Sequence, residues 1–241
     1  MHAKSAKMTI LSIETSTSVC SAALSVDGQT IASRINRENT NHARFLSIFV
    51  KELLDELKQR TLTLDAVALS EGPGSYTGLR IGASTAKGLC YGYDIPLIPI
   101  ATTEVLCASL MAKNEVQDDD WLLPMIDARR MEVYTALYRV QNGVPVLQGD
   151  IAAKVIESAE SLEYGQGRNV FFGDGAAKCK ELLAEKADFI GDIVPDAADM
   201  GPLAERYWQE KKVVEGKDLA YYEPFYLKEF IAAQSHVKGL V

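Results

Sequence analysis

Histidine is scarce in this chain: three in 241 residues, at positions 2, 42 and 236. Imidazole is the side chain that most readily relays protons near neutral pH and the commonest metal ligand. Three isolated copies give little material for either role. His2 lies in MHAKSAK, a loose extension before the first strand-like run, and His236 lies in the tail. His42 stands at a helix start, where capping or surface exposure is the plain expectation. Cysteine is also sparse. Cys20, Cys90, Cys107 and Cys179 form no CxxC pair, the pattern of reduced thiols in a cytoplasmic protein. No apolar run is long enough to cross a bilayer, and the greasiest stretch, YGYDIPLIPIA, is broken by Pro96 and Pro99. The N-terminus has no secretory pattern. Positive charge is in deficit, 25 Lys and Arg against 33 Asp and Glu, for a net −8. That balance argues against this chain alone holding nucleic acid. Two catalytic signatures are missing as well. There is no lysine–hydroxyl pair in P-loop spacing and no GxSxG elbow. Ser75, Cys90 and His42 therefore do not assemble into a hydrolase, because a nucleophile needs an oriented base.

What is present is an ordinary globular composition, 47% hydrophobic, in a chain long enough for one large domain or two lobes. Met8–Val26 alternates around β-branched residues and then meets Asp27-Gly28, a hairpin signal. QTIASRIN continues as a third strand. Thr40 or Asn41 can cap the next helix, which carries Leu46, Phe49, Val50, Leu53 and Leu57 at helical spacing. Phe45 and Ile48 fall outside that stripe, so the apolar surface is wider than one docking face needs. Ala66–Ser70 and Ile95–Ile100 read as buried strands. Thr102 is expected to cap a helix to about Lys113, with Glu104 in its first turn. Asp118-Asp119-Asp120 reads as a solvated linker. Further on, Asn169–Phe172 is a strand, GDGAAKCKELL a turn into a helix, and PDAADMGPLAERYWQEKK a capped helix.

The segment LLPMIDARRMEVYTALYRVQNG repeats the opening one. Set beside ILSIETSTSVCSAALSVDG, it aligns Glu14 with Asp127 and Gly28 close to Asn142-Gly143. Internal repetition fixes architecture. Two lobes, each with three antiparallel strands followed by helices and parallel strands, make a duplicated α/β fold of the actin–hexokinase type. The expected organisation is an extension at 1–7, an N-terminal lobe at 8–115, a C-terminal lobe at 116–232 and a tail at 233–241.

Acids at strand ends can hold a metal–nucleotide complex in such folds, which makes Glu14 and Asp127 candidates; capping of the following turn is the alternative. Gly173 and Gly175 in GDGAAK could present amides to a phosphate, or form a plain strand–turn–helix junction. In EGPGSYTGLRIGASTAKGL, Ser75 is placed to cap a helix after Gly72-Pro73-Gly74. Gly78, Gly82, Thr85 and Leu89 form one stripe on that helix. Leu79, Ala83, Ala86 and Cys90 form the next. Helical glycine costs about 1 kcal/mol against alanine, so the stripe points to close approach of another backbone, either this chain's own sheet or a partner helix.

ILSIETST, EGPGSYTGLRIGASTAKGL, DIPLIPIATTEVL, DARRMEVY, GDGA and EPFYLK, in this order from Met8 to about Ala232, resemble the TsaB (YeaZ) family. The resemblance implies a duplicated actin-like, ribonuclease H-like (ASKHA) fold with a mixed five-stranded sheet in each lobe. It implies a cytoplasmic bacterial protein without a membrane role, paralogous to the transferase TsaD. It further implies work with TsaD and the ATPase TsaE in threonylcarbamoylating the adenosine beside the anticodon of tRNAs reading codons that begin with adenine. A separate enzyme supplies the threonylcarbamoyl-adenylate. TsaD-type proteins carry two histidines four apart after the strand matching Ile95–Ile100, on one helix face where they hold a metal. Thr102 and Leu106 stand there in this chain, so no metal is expected.

Two functions from different classes follow. One is a non-catalytic subunit that activates a TsaD-type enzyme, with no cofactor beyond a vestigial hold on ATP or ADP and with tRNA reached only through the complex. The other is an ATP-hydrolysing or small-molecule-phosphorylating enzyme of the actin–hexokinase class. For the first, the expected partner surface joins two helices. The helix Asn41–Leu57 offers His42, Phe45, Leu46, Phe49 and Leu53. The helix Gly78–Tyr91 and its first turn offer Tyr76, Gly78, Leu79, Gly82, Thr85 and Leu89. The same surface would let two copies pair as a homodimer when the partner is missing.

Overall fold

The computed structural model describes residues 7–38 and 41–228. The extension at 1–6, Thr40 and the tail at 233–241 therefore lie outside the described residues. Strand β1 (Thr9–Glu14) pairs antiparallel with β2 (Cys20–Val26), and β2 with β3 (Gln29–Asn36). The β2–β3 turn is Asp27-Gly28, at φ 49° and 75°. Both residues are left-handed, as a two-residue hairpin turn matched to strand twist requires. Helix α1 (His42–Gln59) leads to β4 (Ala66–Gly72), parallel to β1. Helix α2 (Tyr76–Tyr93) leads to β5 (Leu97–Ala101), parallel to β4, and α3 (Thr102–Met111) follows. The sheet order is β3-β2-β1-β4-β5.

The second half repeats this layout. β6 (Trp121–Asp127), β7 (Glu132–Gln141) and β8 (Val144–Val155) run antiparallel. β9 (Asn169–Phe172) and β10 (Asp188–Ile190) add in parallel, giving β8-β7-β6-β9-β10. Two mixed five-stranded sheets with helices on their faces are the duplicated actin-like α/β fold. Helices have shrunk in the second half. Where α1 stands in the first, there is one 3-10 turn, Ala159–Ser161. Where α2 stands, there are a 3-10 turn, Ala177–Cys179, and the single-turn α4 (Lys180–Leu183). Helices α5 (Gly201–Gln209) and α6 (Gly216–Tyr221) complete the order.

The third helix of each half crosses to the other half's sheet. α3 buries Leu106, Cys107 and Leu110 with Leu122, Tyr138 and Phe172 of the second sheet. α5 and the turn before it bury Ala197, Met200, Leu203 and Ala204 with Ile10, Ala68 and Ile98 of the first. α6 adds Leu219 to the far face of that first sheet, beneath α1 and α2. The expected boundary near residue 115 falls between β5 and β6, but Ala197, Met200, Leu203, Ala204 and Leu219 pack on the first sheet. Where the helices cross, Glu104, 6% exposed, pairs with Arg206 and accepts from the Tyr207 hydroxyl at 2.5 Å.

Three local expectations are corrected. Asn41 precedes α1 in a left-handed conformation and makes no side-chain cap. Thr102 is the first residue inside α3, after Ala101, and its hydroxyl meets Ser70 Oγ at 2.9 Å instead of capping. Asp120 is 3% exposed and takes Arg168 at 3.0 Å, so the acidic run is solvated only at Asp118 and Asp119.

Candidate functional site

Glu14 ends β1 and Asp127 ends β6, so the two acids do occupy equivalent strand ends. Their surroundings differ. Glu14 is fully buried; its Oε1 accepts from Ser16 N at 2.5 Å and Ser16 Oγ at 2.6 Å. Among the described residues no cation pairs with it, and Oε2 accepts no hydrogen bond of ordinary geometry. Burial pushes its carboxyl from 4.5 up to about 7; hydrogen bonds from Ser16 and Ser70 pull the other way and lose. Asp127 is exposed, but Lys178 forms an ion pair with it, and Asp127 Oδ1 accepts from Arg129 N at 3.0 Å. Capping of the following turn, the alternative reading, describes both acids.

The glycines of GDGAAK are packed against β6. A Cβ on Gly173, at φ 102°, would collide with the Met125 carbonyl; one on Gly175 would lie 2.9 Å from Ile126 C and 3.0 Å from Asp127 N. Gly175 N donates to Met125 O at 3.0 Å. Asp174 accepts from Asp127 N at 2.9 Å, and burial raises its carboxyl. The turn is a strand–turn–helix junction packed on β6, and the Gly175 amide is already spent on Met125 O. The plain junction, the alternative reading of Gly173 and Gly175, accounts for both glycines through their packing on β6. The lysine that matters here, Lys178, was passed over in the sequence; its position in the turn after β9 was the available signal. Of the two positions that the sequence sets against paired histidines, Leu106 lies in the core and Thr102 bonds Ser70.

The expected partner surface divides in two. Gly78 and Gly82 are buried, and a Cβ on either would strike Thr15, at its carbonyl and hydroxyl respectively. Thr15 Oγ1 donates to Gly78 O at 2.8 Å. The backbone that approaches the stripe is the β1–β2 turn of this chain. Ser75 does cap α2, accepting from Gly78 N at 3.3 Å, while its own amide donates to Ser16 O at 2.6 Å. Leu46, Leu53 and Leu79 are core residues at 2% exposure or less. These five residues are corrected to internal packing. His42 faces inward too, its Nε2 2.9 Å from Thr17 O. Phe45, Phe49, Tyr76, Thr85 and Leu89 remain half-exposed, with Ile48 beside them at 39%. Between α1 and α2 runs a groove of about 480 Å³ lined by Ala43, Ser47, Ile81 and Thr85 among others.

On the other flank of α2 lies the segment Tyr222–Lys228, which contains the EPFYLK motif. Phe225 N donates to Glu71 O at 2.8 Å, and Tyr222 OH to Glu71 Oε2 at 3.3 Å. Lys87 donates to the carbonyls of Ala220 and Tyr222 at 2.8 and 3.0 Å. Lys228 pairs with Glu132 on β7. Gly72 leaves room for the Phe225 carbonyl.

This geometry has known counterparts. The family model described as "TsaD: tRNA N6-adenosine threonylcarbamoyltransferase" matches residues 30–233. The "tRNA threonylcarbamoyladenosine biosynthesis protein TsaB" of Escherichia coli is 32% identical over 232 residues, 93% of this chain and 96% of that protein. This chain belongs to the TsaB family. The Bacillus subtilis protein of the same name is 30% identical over 224 residues, covering 92% of this chain and 94% of its own. In three dimensions, "YeaZ from Pseudomonas aeruginosa" matches with a TM-score of 0.76 at 27% identity, covering 91% of this chain and all of that one. No helix among the described residues is long and apolar enough to cross a membrane.

Proposed function

We propose that this chain is a non-catalytic subunit in tRNA threonylcarbamoyladenosine biosynthesis. In this reading it binds and activates a TsaD-type transferase, together with a TsaE-type ATPase. The observation that carries the reading is the use of both strand-end acids by the chain itself: Glu14 is buried on Ser16 and Asp127 is paired with Lys178. Phosphoryl transfer needs positioned metal and phosphate donors, and the glycines that would flank a phosphate pack on β6 instead. The partner surface is the outward part of the two helices: Phe45, Ile48 and Phe49 on α1, and Ile81, Thr85 and Leu89 on α2, of which Ile81 and Thr85 also line the groove between the helices. A stable interface buries on the order of 1,600 Å² in total, and two neighbouring 18-residue helices can supply one side of it. The same surface supports pairing of two copies when the partner is absent.

The test is reconstitution. Modification of tRNA by the transferase and the ATPase is measured with and without this chain. Equal modification in both sinks the proposal. Nucleotide turnover is assayed on the chain alone. Steady hydrolysis abolished by Asp127→Asn would restore the enzyme reading.

A further inference from the structure

The groove between α2 and the segment Tyr222–Lys228 has a volume of about 550 Å³. Its chemistry departs from that of the whole molecule. Arg80, Lys87 and Lys228 line it with one carboxylate, Glu223, on a chain of net charge −8; Lys228 is paired with Glu132, so Arg80 and Lys87 carry the groove's charge. Its walls are aromatic. The Tyr76 and Tyr226 rings lie 5.1 Å apart at 40°, and the Arg80 guanidinium sits 5.5 Å over Tyr76. Arg80 is exposed and forms no ion pair among the described residues; its guanidinium donates to Tyr76 OH at 3.2 Å. Lys87 is held in place by two carbonyls, which leaves its charge at the groove.

Cations along a groove with aromatic faces are how proteins hold single-stranded nucleic acid: charge tracks the phosphates and rings stack on bases. We propose that this groove takes a strand of RNA, a phosphate on Arg80 and a base on the half-exposed face of Tyr226. The proposal rests on the reading that the chain works in a complex receiving tRNA, and gives the chain a contact of its own there. A strand is favoured over a free mononucleotide by shape. The groove is open to solvent, and its tyrosines can stack on any base. The acidic remainder of the surface keeps the site weak in isolation, so the strand is held firmly when the partner supplies further phosphate contacts.

The test measures binding of an anticodon stem-loop RNA by fluorescence anisotropy. It uses both the chain alone at low salt and its complex with the transferase. Arg80→Ala should weaken binding about fivefold or more and lower the slope of log affinity against log salt by about one. Arg80→Lys should keep the slope. Tyr226→Leu should weaken binding about tenfold with the slope unchanged, as loss of stacking predicts. Association with the transferase is measured separately for each variant. RNA affinity indifferent to both positions overturns the proposal. A fall in transferase association with Arg80→Ala also overturns it, since Arg80 then belongs to the protein interface. Binding of ADP that needs Arg80, with RNA indifferent to it, reassigns the groove to a free nucleotide. A transferase that never associates sinks the proposed function, while the low-salt measurement on the chain alone still decides the groove.

Discussion

Glu14 is a carboxyl in a place where charge is expensive. Its folded value of about 7 exceeds the ordinary 4.5, so between those limits the folded chain holds a proton that the unfolded chain has released. Stability therefore falls as pH rises from about 4.5 to 7 and is flat in this respect above. The shift corresponds to about 3 kcal/mol. Glu14→Gln keeps an oxygen for Ser16 and removes the charge. Thermal melts across this range should show a weaker pH dependence than wild type, with the variant more stable at pH 8. Equal pH profiles would mean that Glu14 titrates normally. The residue's position at a strand end was legible from the repeat. Its burial was not, because ILSIETST does not reveal that Ser16 and Ser70 close over the carboxyl. Asp120 was misjudged for a similar reason: its partner, Arg168, lies 48 residues away.

Helix α2 shows how far spacing alone can be read. Its start at Ser75 and its small-residue stripe were visible in the sequence. What the stripe meets was not, since the turn that fills it, Thr15-Ser16, belongs to a segment more than sixty residues earlier. The glycines of one helix should consequently behave oppositely. Gly78→Ala forces a methyl onto the Thr15 carbonyl and should cost about 1–3 kcal/mol. Gly88 has nothing within 4 Å of an added Cβ. Gly88→Ala should stabilise by about 0.5–1 kcal/mol, raising Tm by roughly 2–4 °C for each kcal/mol. Denaturant titrations of the two variants check both signs. The partner surface is best probed on α1 at Ile48, 39% exposed, because Phe45 also packs on the core. Ile48→Asp should leave the melt near wild type and weaken transferase association about tenfold, read by calorimetry. An unaltered affinity would place the surface elsewhere.

The duplicated layout was legible at the scale of the whole molecule, because Asp27-Gly28 and Asn142-Gly143 punctuate two copies of one hairpin pattern. The crossing of α3 and α5 was not. Both read simply as capped helices, and nothing in their spacing states which sheet they cover. Their meeting point should govern cooperativity. Arg206→Ala leaves Glu104 with the Tyr207 hydroxyl alone and should cost about 2 kcal/mol or more. Trp121 sits on β6 and Trp208 on α5, so they report different sheets. Denaturation followed at both should coincide in wild type and shift together in the variant; separated transitions would show that the crossing does not couple the sheets. The crossing also has a consequence during synthesis. When residue 115 leaves the ribosome, the first sheet still lacks the cover that α5 supplies, and α5 ends at Gln209. At roughly 5–20 residues per second, the nascent chain carries that bare face for about 5 to 20 seconds. A ribosome-bound chaperone should therefore hold fragments ending between α3 and α5 and release them once α5 has emerged.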